Sequence, residues 1–65
     1  MAHFGDKLRE ERVKQNLSQQ DLADYVGCSQ VAIAKFETNA VAPNVYVAWK
    51  LAQKLNKSLD EMMRA

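Results

Sequence analysis

Residues 17–37 read LSQQDLADYVGCSQVAIAKFE and contain two helix starts with a single glycine between them. Ser18 predicts the first start, because its hydroxyl can accept from the backbone amide of Asp21 while the Asp21 carboxylate reaches back. Gly27 predicts the end of that helix, since a left-handed terminal position favours glycine, and Ser29 predicts the next start. Two helices joined by so short a turn cross at about 90–120°. The first helix therefore braces the second, whose amino-terminal end projects outward.

The segments on either side also predict helices. Apolar residues at helical spacing indicate a first helix over about residues 4–15, with inward positions Phe4, Leu8, Val13 and Leu17. Asn39 is suited to end the third helix, and Pro43 bars helix in the loop that follows. A fourth helix over about residues 45–55 begins after the cap Asn44, and a fifth begins at Ser58, which forms a capping box with Glu61.

The expected core draws on all five helices. From the second helix to the fifth, its members are Leu22, Ala23, Val26, Ala32, Ile33, Phe36, Val45, Ala48, Leu51, Ala52, Leu55, Leu59 and Met62. Cys28 is expected to pack opposite Ile33 as a small apolar side chain, and Tyr25 and Trp49 are expected to cover the core. The pattern predicts one all-α domain over residues 1–65, because so short a chain has no room for a second core.

Composition excludes several classes of protein. Nine Lys and Arg residues against eight Asp and Glu residues give a net charge of +1, so charge alone does not predict a nucleic-acid partner. Cys28 cannot form an internal disulfide, and with only His3 beside it no metal site is expected. The apolar runs are too short to span a membrane and no signal peptide precedes the charged start, which predicts a cytoplasmic protein. Catalytic triads, paired carboxylates and phosphate-binding loops are missing, so we expect no enzyme, cofactor or small-molecule ligand.

From about Phe4 to Met63 the chain resembles the Cro/phage-repressor helix-turn-helix family, also called the XRE type. The resemblance rests on LREERVKQNLSQQDLADYVGCSQVAIAKFE, on Pro43 and on KLAQKLNKSLDEM. It implies a lambda-repressor-like fold of five helices in which helices 2 and 3 form the helix-turn-helix. It further implies a transcriptional regulator of double-stranded DNA, most typically a repressor of prophage, mobile-element or toxin–antitoxin type.

The resemblance also implies roles for individual residues. The base-reading residues would be Gln30, Val31 and Lys35, with Gln30 suited to adenine, Lys35 to guanine and Val31 to a thymine methyl group. Residues implied to contact phosphate or allow close approach are Gln19, Ser29, Ala32, Ala34, Asn39, Asn44 and Tyr46. Gln19 would in addition steady the base-reading glutamine. From the residues alone, Val31 packing against helix 2 and Lys35 as a plain surface lysine remain open alternatives.

Arg12 and Glu37 match positions that carry a buried ion pair in the family. Arg12 lies four residues after Leu8, on the same helical face, which agrees with an inward position. The resemblance implies that the pair ties helix 1 to the end of helix 3. Loss of one partner is expected to cost about 3–5 kcal/mol, because the other charge would be left buried and unpaired.

The chain departs from the family pattern between helix 3 and Pro43. The segment TNAVA carries no charge, although relatives of this type commonly have basic residues there, and Lys57 stands in a usually apolar position. Fewer phosphate contacts weaken DNA binding, so we expect a homodimer on a short palindrome. The apolar residues expected at the dimer surface are Val41, Val47, Leu59 and Met63. The alternative function is a protein-interaction module on the same fold with little or no DNA binding.

Overall fold

The computed structural model describes residues 4–64, and this range contains five α-helices and no β-strand. The helices are α1 Phe4–Lys14, α2 Gln19–Val26, α3 Gln30–Glu37, α4 Val45–Lys54 and α5 Leu59–Met63. The predicted all-α architecture is confirmed, and the predicted bounds agree to within a residue. His3, for which the sequence predicted no metal role, lies outside the described residues. No helix between residues 4 and 64 has the length and apolar character needed to cross a membrane.

Each predicted helix start is capped by the expected side chain. The Ser18 hydroxyl accepts from the Asp21 amide at 2.9 Å, and the Asp21 carboxylate accepts from the Ser18 amide at 2.9 Å. Ser58 and Glu61 form the same reciprocal capping box. Single caps begin the other two helices, from the hydroxyl of Ser29 and the amide oxygen of Asn44. These bonds satisfy backbone donors that the first helical turn leaves without partners.

The connections between helices use left-handed backbone positions. Gly27 has φ 87° between α2 and α3, as the sequence predicts. Asn39 and Asn56 take φ 63° and 58°, and Asn16 plays the same part after α1 with φ 57°. Asparagine tolerates this region better than other side chains do. Short turns of this kind keep consecutive helices close together.

The core lies where all five helices meet. Its fully buried members are Leu8, Leu22, Ala23, Ile33, Leu51, Ala52, Leu55 and Met62. Half-buried side chains pack around them, among them Cys28, as the sequence predicts. Helix α3 packs against both α1 and α2. This arrangement leaves the remaining face of α3 uncovered.

Three core predictions on α1 and α4 were wrong. Val13 is 55% exposed because it lies five residues after Leu8, a rotation of about 140° around the helix axis. The inward positions after Leu8 are Glu11 and Arg12, which are charged. Val45 is 76% exposed at the first residue of α4, and Trp49, expected to cover the core, is 47% exposed. Helical spacing shows which apolar residues share a face of a helix. It does not show which of them the neighbouring helices cover.

Gly5 sits where the start of α1 meets the end of α3. A side chain there would collide with the carbonyl oxygen of Phe36 and would come within 2.6 Å of Asn39 Oδ1. The close approach is used for bonding, because the Gly5 amide donates to Asn39 Oδ1 at 3.1 Å and Asn39 Nδ2 donates to Asp6 at 3.2 Å. Only glycine allows the two helix ends to come this near.

Replacement Gly5→Ala is therefore expected to lower the free energy of unfolding by about 1–3 kcal/mol, since the methyl group meets backbone that cannot move aside. Urea unfolding followed by circular dichroism measures the change. Arg9→Ala on the exposed face of α1 is the control and is expected to stay within about 0.5 kcal/mol of the parent chain. Equal stability of the two variants would contradict the steric argument.

Candidate nucleic-acid interface

The exposed face of α3 carries the three residues that the sequence predicts to read bases. Gln30 and Lys35 are exposed, and Val31 is 59% exposed. The four residues 30, 31, 34 and 35 share one side of the helix, whereas Ile33 and Glu37 of the same helix are buried. The alternative in which Val31 packs against α2 is wrong. Lys35 makes no ion pair within residues 4–64, so its ammonium group faces solvent.

Ala32 and Ala34 are half-buried beside this face. Their methyl groups are shorter than the neighbouring side chains, so another molecule can come close to the backbone of α3. An exposed helix of this kind has a suitable diameter for the major groove of B-DNA, which is ~12 Å wide.

A chain of side-chain hydrogen bonds runs from this face into the protein. Gln30 Nε2 donates to Gln19 Oε1 at 2.7 Å, and Gln19 Nε2 donates to Glu37 Oε1 at 3.1 Å. Glu37 in turn accepts from Arg12, with Nε 2.6 Å from Oε2 and Nη2 3.2 Å from Oε1. The structure thus brings together the two glutamines and the two ion-pair residues that the sequence singled out separately.

The ion pair at the inner end of this chain is well enclosed. The side chain of Glu37 is 2% exposed and that of Arg12 is 14% exposed. Arg12 Nη1 also donates to the carbonyl oxygen of Leu17 at 2.8 Å, just before the cap of α2. One guanidinium therefore connects α1, the start of α2 and the end of α3. Within residues 4–64, no buried side-chain nitrogen or oxygen lacks a hydrogen-bond partner.

The residues predicted to contact phosphate lie at several helix ends. The Ser29 hydroxyl accepts from the Ala32 amide at 3.2 Å, which leaves its own O–H able to donate outward. Asn44 caps α4 by accepting from the Val47 amide at 2.8 Å, which leaves its NH₂ group for another acceptor. Tyr46, the second residue of the same helix, is 61% exposed. Asn39 is exposed but bonded to α1. Contact of these residues with phosphate stays a prediction.

The aromatic residues form two surface groups. The rings of Tyr46 and Trp49 lie 6.3 Å apart. Tyr25 donates its hydroxyl hydrogen to Gln53 at 3.2 Å, and the Lys50 ammonium lies 4.9 Å from the centre of its ring. Tyr25, expected to cover the core, is 39% exposed and is held instead by its contacts with α4.

A buried carboxylate on α1 was not found by sequence reasoning. Glu11 is 4% exposed and lies 3.3 Å from the Lys7 ammonium, 3.7 Å from Lys14 and 3.9 Å from Lys57. Burial by itself raises the pKa of Glu11, but the hydrogen bond from Lys7 and the charges of the three lysines outweigh it, so the pKa lies below its ordinary value. The unusual Lys57 thus has a structural partner. The signal available in the sequence was the spacing of Lys7, Glu11 and Lys14 on one helix face.

Comparison with known proteins identifies the class of this fold. Residues 8–62 match the helix-turn-helix family HTH_3, and the chain belongs to that family. The SPbeta prophage-derived uncharacterized HTH-type transcriptional regulator YonR of Bacillus subtilis (strain 168) is 30% identical over 61 residues. Those residues make up 94% of this chain and 56% of the relative, so the chain spans little more than half of the relative's length.

Three solved structures of two regulators share the fold. The P22 c2 repressor bound to a synthetic operator superposes with a TM-score of 0.92 at 30% identity, covering 98% of this chain and 97% of that one. The DNA-binding domain of the P22 c2 repressor in solution gives 0.89 at 31% identity, covering 94% and 80%. The restriction-modification controller protein C.AhdI of Aeromonas hydrophila gives 0.86 at 30% identity, covering 92% and 91%. The predicted lambda-repressor-like fold is confirmed, and the matched proteins are regulators rather than enzymes.

The buried Glu11 predicts a pH-dependent stability. A carboxylate whose pKa is lowered by folding stabilises the native state above its ordinary pKa of 4.5, and that contribution is lost as the pH falls through the lowered value. Asp21 and Glu61 act in the same direction, because the hydrogen bonds from the amides of Ser18 and Ser58 lower their pKa values. We expect the urea midpoint to fall as the pH is lowered below 4.5.

The variant Glu11→Gln is expected to be less stable at neutral pH and to lose less stability on acidification than the parent chain. Glu10→Gln is the matched control, since Glu10 is on the same helix with its side chain 53% exposed. Identical acid dependence in the parent chain and the Glu11 variant would show that the lysines do not hold this carboxylate in its charged form.

Proposed function

We propose that the chain is a sequence-specific DNA-binding transcriptional regulator in which α3 enters the major groove. The observation that carries this proposal is the outward face of α3, where Gln30, Val31 and Lys35 are exposed side by side while α1 and α2 hold the opposite face. Membership of the helix-turn-helix family and the likeness to the operator-bound P22 c2 repressor support the same function.

The three exposed residues have complementary base-reading chemistry. The Gln30 amide offers an acceptor and a donor, which fit the N6 and N7 positions of adenine. The Val31 methyl groups can contact the methyl group of thymine, and the Lys35 ammonium can donate to guanine O6 and N7. Ser29, Asn44 and Tyr46 supply hydroxyl and amide donors for backbone phosphates, and Gln19 supports Gln30 from behind.

We propose further that the protein acts as a homodimer, as a repressor on a short palindrome. One domain brings little charge to DNA, because its net charge is +1 and the segment after α3 is neutral. Two domains on one duplex place two reading helices about 34 Å apart, one turn of DNA, and combine two weak half-sites.

An apolar groove is the surface we assign to dimerisation. Its walls come from α1, from the loop before α4, and from α4 and α5, with lining residues Phe4, Ala42, Pro43, Val45, Ala48, Leu59 and Met63. Met63 is 63% exposed, and Val41, 47% exposed, lines the adjoining groove of about 410 Å³. Val47 packs against the core and lines neither groove.

The second candidate function is a protein-interaction module that keeps the fold without reading DNA. The near-zero net charge and the neutral loop favour it. The two functions differ in their response to salt, because phosphate contacts release counterions and make binding weaken steeply with salt concentration. A preferred duplex with a log–log slope of several units supports the regulator. A flat response without sequence preference supports the interaction module.

Substitution Gln30→Ala is expected to relax preference at a single base pair, at a cost of about 1–3 kcal/mol for the preferred duplex. Duplexes selected from a random pool and measured by fluorescence anisotropy provide the test. Gln20→Ala, an exposed glutamine on α2, is the control and should leave the preference intact. If Gln30→Ala weakens all duplexes equally, Gln30 does not read a base.

Substitution Met63→Glu is expected to weaken dimerisation, because a charge would be buried in an apolar contact. Affinity for a duplex with two half-sites should fall by about tenfold or more, since the linked second binding event is lost. Affinity for a single half-site should stay the same. Val13→Glu, an exposed valine outside the groove, is the control. Sedimentation of the free and DNA-bound protein measures the stoichiometry of the parent chain and of both variants.

A further inference from the structure

The hydrogen-bond chain behind α3 has a fixed direction. A carboxylate can only accept hydrogen bonds, so Gln19 must turn its NH₂ group towards Glu37. Its amide oxygen then faces Gln30 and can only accept, so Gln30 must donate through its own NH₂ group. The observed bonds run in this order, from Gln30 Nε2 to Gln19 Oε1 and from Gln19 Nε2 to Glu37 Oε1.

We infer that Glu37, although buried, sets the base preference of Gln30 by fixing which end of its amide faces outward. The inference rests on the proposed function and adds a specificity-determining residue to it. Glu37 acts here as a positioning residue through Gln19. An amide can present its oxygen and its nitrogen in either of two orientations, and a solvent-exposed glutamine has no reason to prefer one.

The consequence for base reading follows from the edges of the purines. Adenine shows a donor at N6 where guanine shows an acceptor at O6, while both have an acceptor at N7. With one N–H given to Gln19, Gln30 retains its Oε1 and its second N–H. Oε1 accepts no hydrogen bond within residues 4–64, so it is available for the N6 donor of adenine. In the reversed orientation an N–H group would occupy that place and would favour guanine O6.

Arg12 holds the inner end of the chain. Its guanidinium donates to both oxygens of Glu37, and the contact of Nε with Oε2, at 2.6 Å, is the shorter. If Glu37 is replaced by glutamine, the shorter contact keeps the amide oxygen at the Oε2 position and the new NH₂ group faces Gln19, at the cost of the longer bond from Arg12 Nη2. Gln19 must then present its oxygen inward and its NH₂ group outward, and Gln30 must accept instead of donate. One buried change therefore reverses the whole chain.

The central experiment compares Glu37→Gln with the parent chain on duplexes that carry A or G at the position read by Gln30. The parent chain is expected to prefer A by about tenfold, the discrimination of a good bidentate contact. The variant is expected to lose this preference or to favour G. A merely structural role would lower stability and affinity for all duplexes and leave the A-to-G ratio unchanged, which would overturn the inference.

Two further variants separate orientation from stability. Glu11→Gln removes a carboxylate of comparable burial, 4% against 5% exposed, that lies outside the chain, and it is expected to keep the preference for A. Gln19→Met leaves the ion pair in place and frees the Gln30 amide, so the preference should shrink towards unity. This variant decides the question if Glu37→Gln does not fold. An unchanged preference in Gln19→Met would overturn the inference.

A measurement on the free protein distinguishes failure of the inference from failure of the proposed function. Scalar couplings across hydrogen bonds, observed by NMR, should connect Gln30 Nε2 with the Gln19 carbonyl and Gln19 Nε2 with the Glu37 carboxylate. In Glu37→Gln they should connect Gln19 Nε2 with the Gln30 carbonyl. If no duplex binds the parent chain, the proposed function fails while the couplings still report the direction. Couplings of the opposite direction in the parent chain would overturn the inference alone.

Discussion

The buried ion pair of Arg12 and Glu37 is the interaction on which the rest of this structure depends. Glu37 is the last residue of α3, and its side chain is 2% exposed. A charge removed from water in this way is tolerated only where partners satisfy it. Arg12 supplies two of the three hydrogen bonds to the carboxylate, and it also bonds the chain segment before α2. Three helices thereby share one electrostatic anchor.

The ion pair holds the carboxyl end of α3 inside the protein, so the amino end is the one that faces solvent. The carboxyl end of α3 is fixed from two directions, by the ion pair and by the close contact of Gly5 with Phe36 and Asn39. The turn at Gly27 fixes the amino end relative to α2 without covering it. A helix clamped at one end and braced along one side keeps its exposed side chains in a constant position, and contact with a rigid partner such as duplex DNA depends on this preorganisation.

Local signals predicted most of the fold, and the long-range contacts explain what they missed. The helix starts at Ser18, Ser29 and Ser58 depend on neighbours within three residues, so they are legible in the sequence. Glu11 pairs with Lys57, which is 46 residues away in the chain and lies between α4 and α5, as well as with two lysines of its own helix. Gly5 likewise has no room for a side chain because of its contact with α3. No periodic pattern within one helix encodes the contact of Glu11 with Lys57 or that of Gly5 with α3.

The candidate site was predictable to a similar extent and for the same reason. Gln30, Val31 and Lys35 follow a helix cap in a family pattern, so their placement on one exposed face could be anticipated. The family pattern also singled out Gln19 as a support for Gln30, but it did not predict the bond from Gln19 to Glu37, which spans 18 residues; Gln20 bonds Asp24 within its own helix. Val45 was assigned to the core together with Ala48 and Ala52 of the same helix, yet it lines the outer groove.

The exposed face of α3 carries little charge. Salt-dependent attraction to phosphate scales with the number of cations in contact, and Lys35 is the one cation on the described α3. In the proposed function, discrimination between duplexes beyond the contact of Lys35 comes from groups without net charge, the Gln30 amide and the Val31 methyl groups. An amide distinguishes bases only if its oxygen and its NH₂ group are held in one fixed orientation. On our inference this orientation is imposed by the buried charges of Arg12 and Glu37, which salt screens far less than it screens surface charges. The preference for one base should therefore persist at salt concentrations that weaken overall binding.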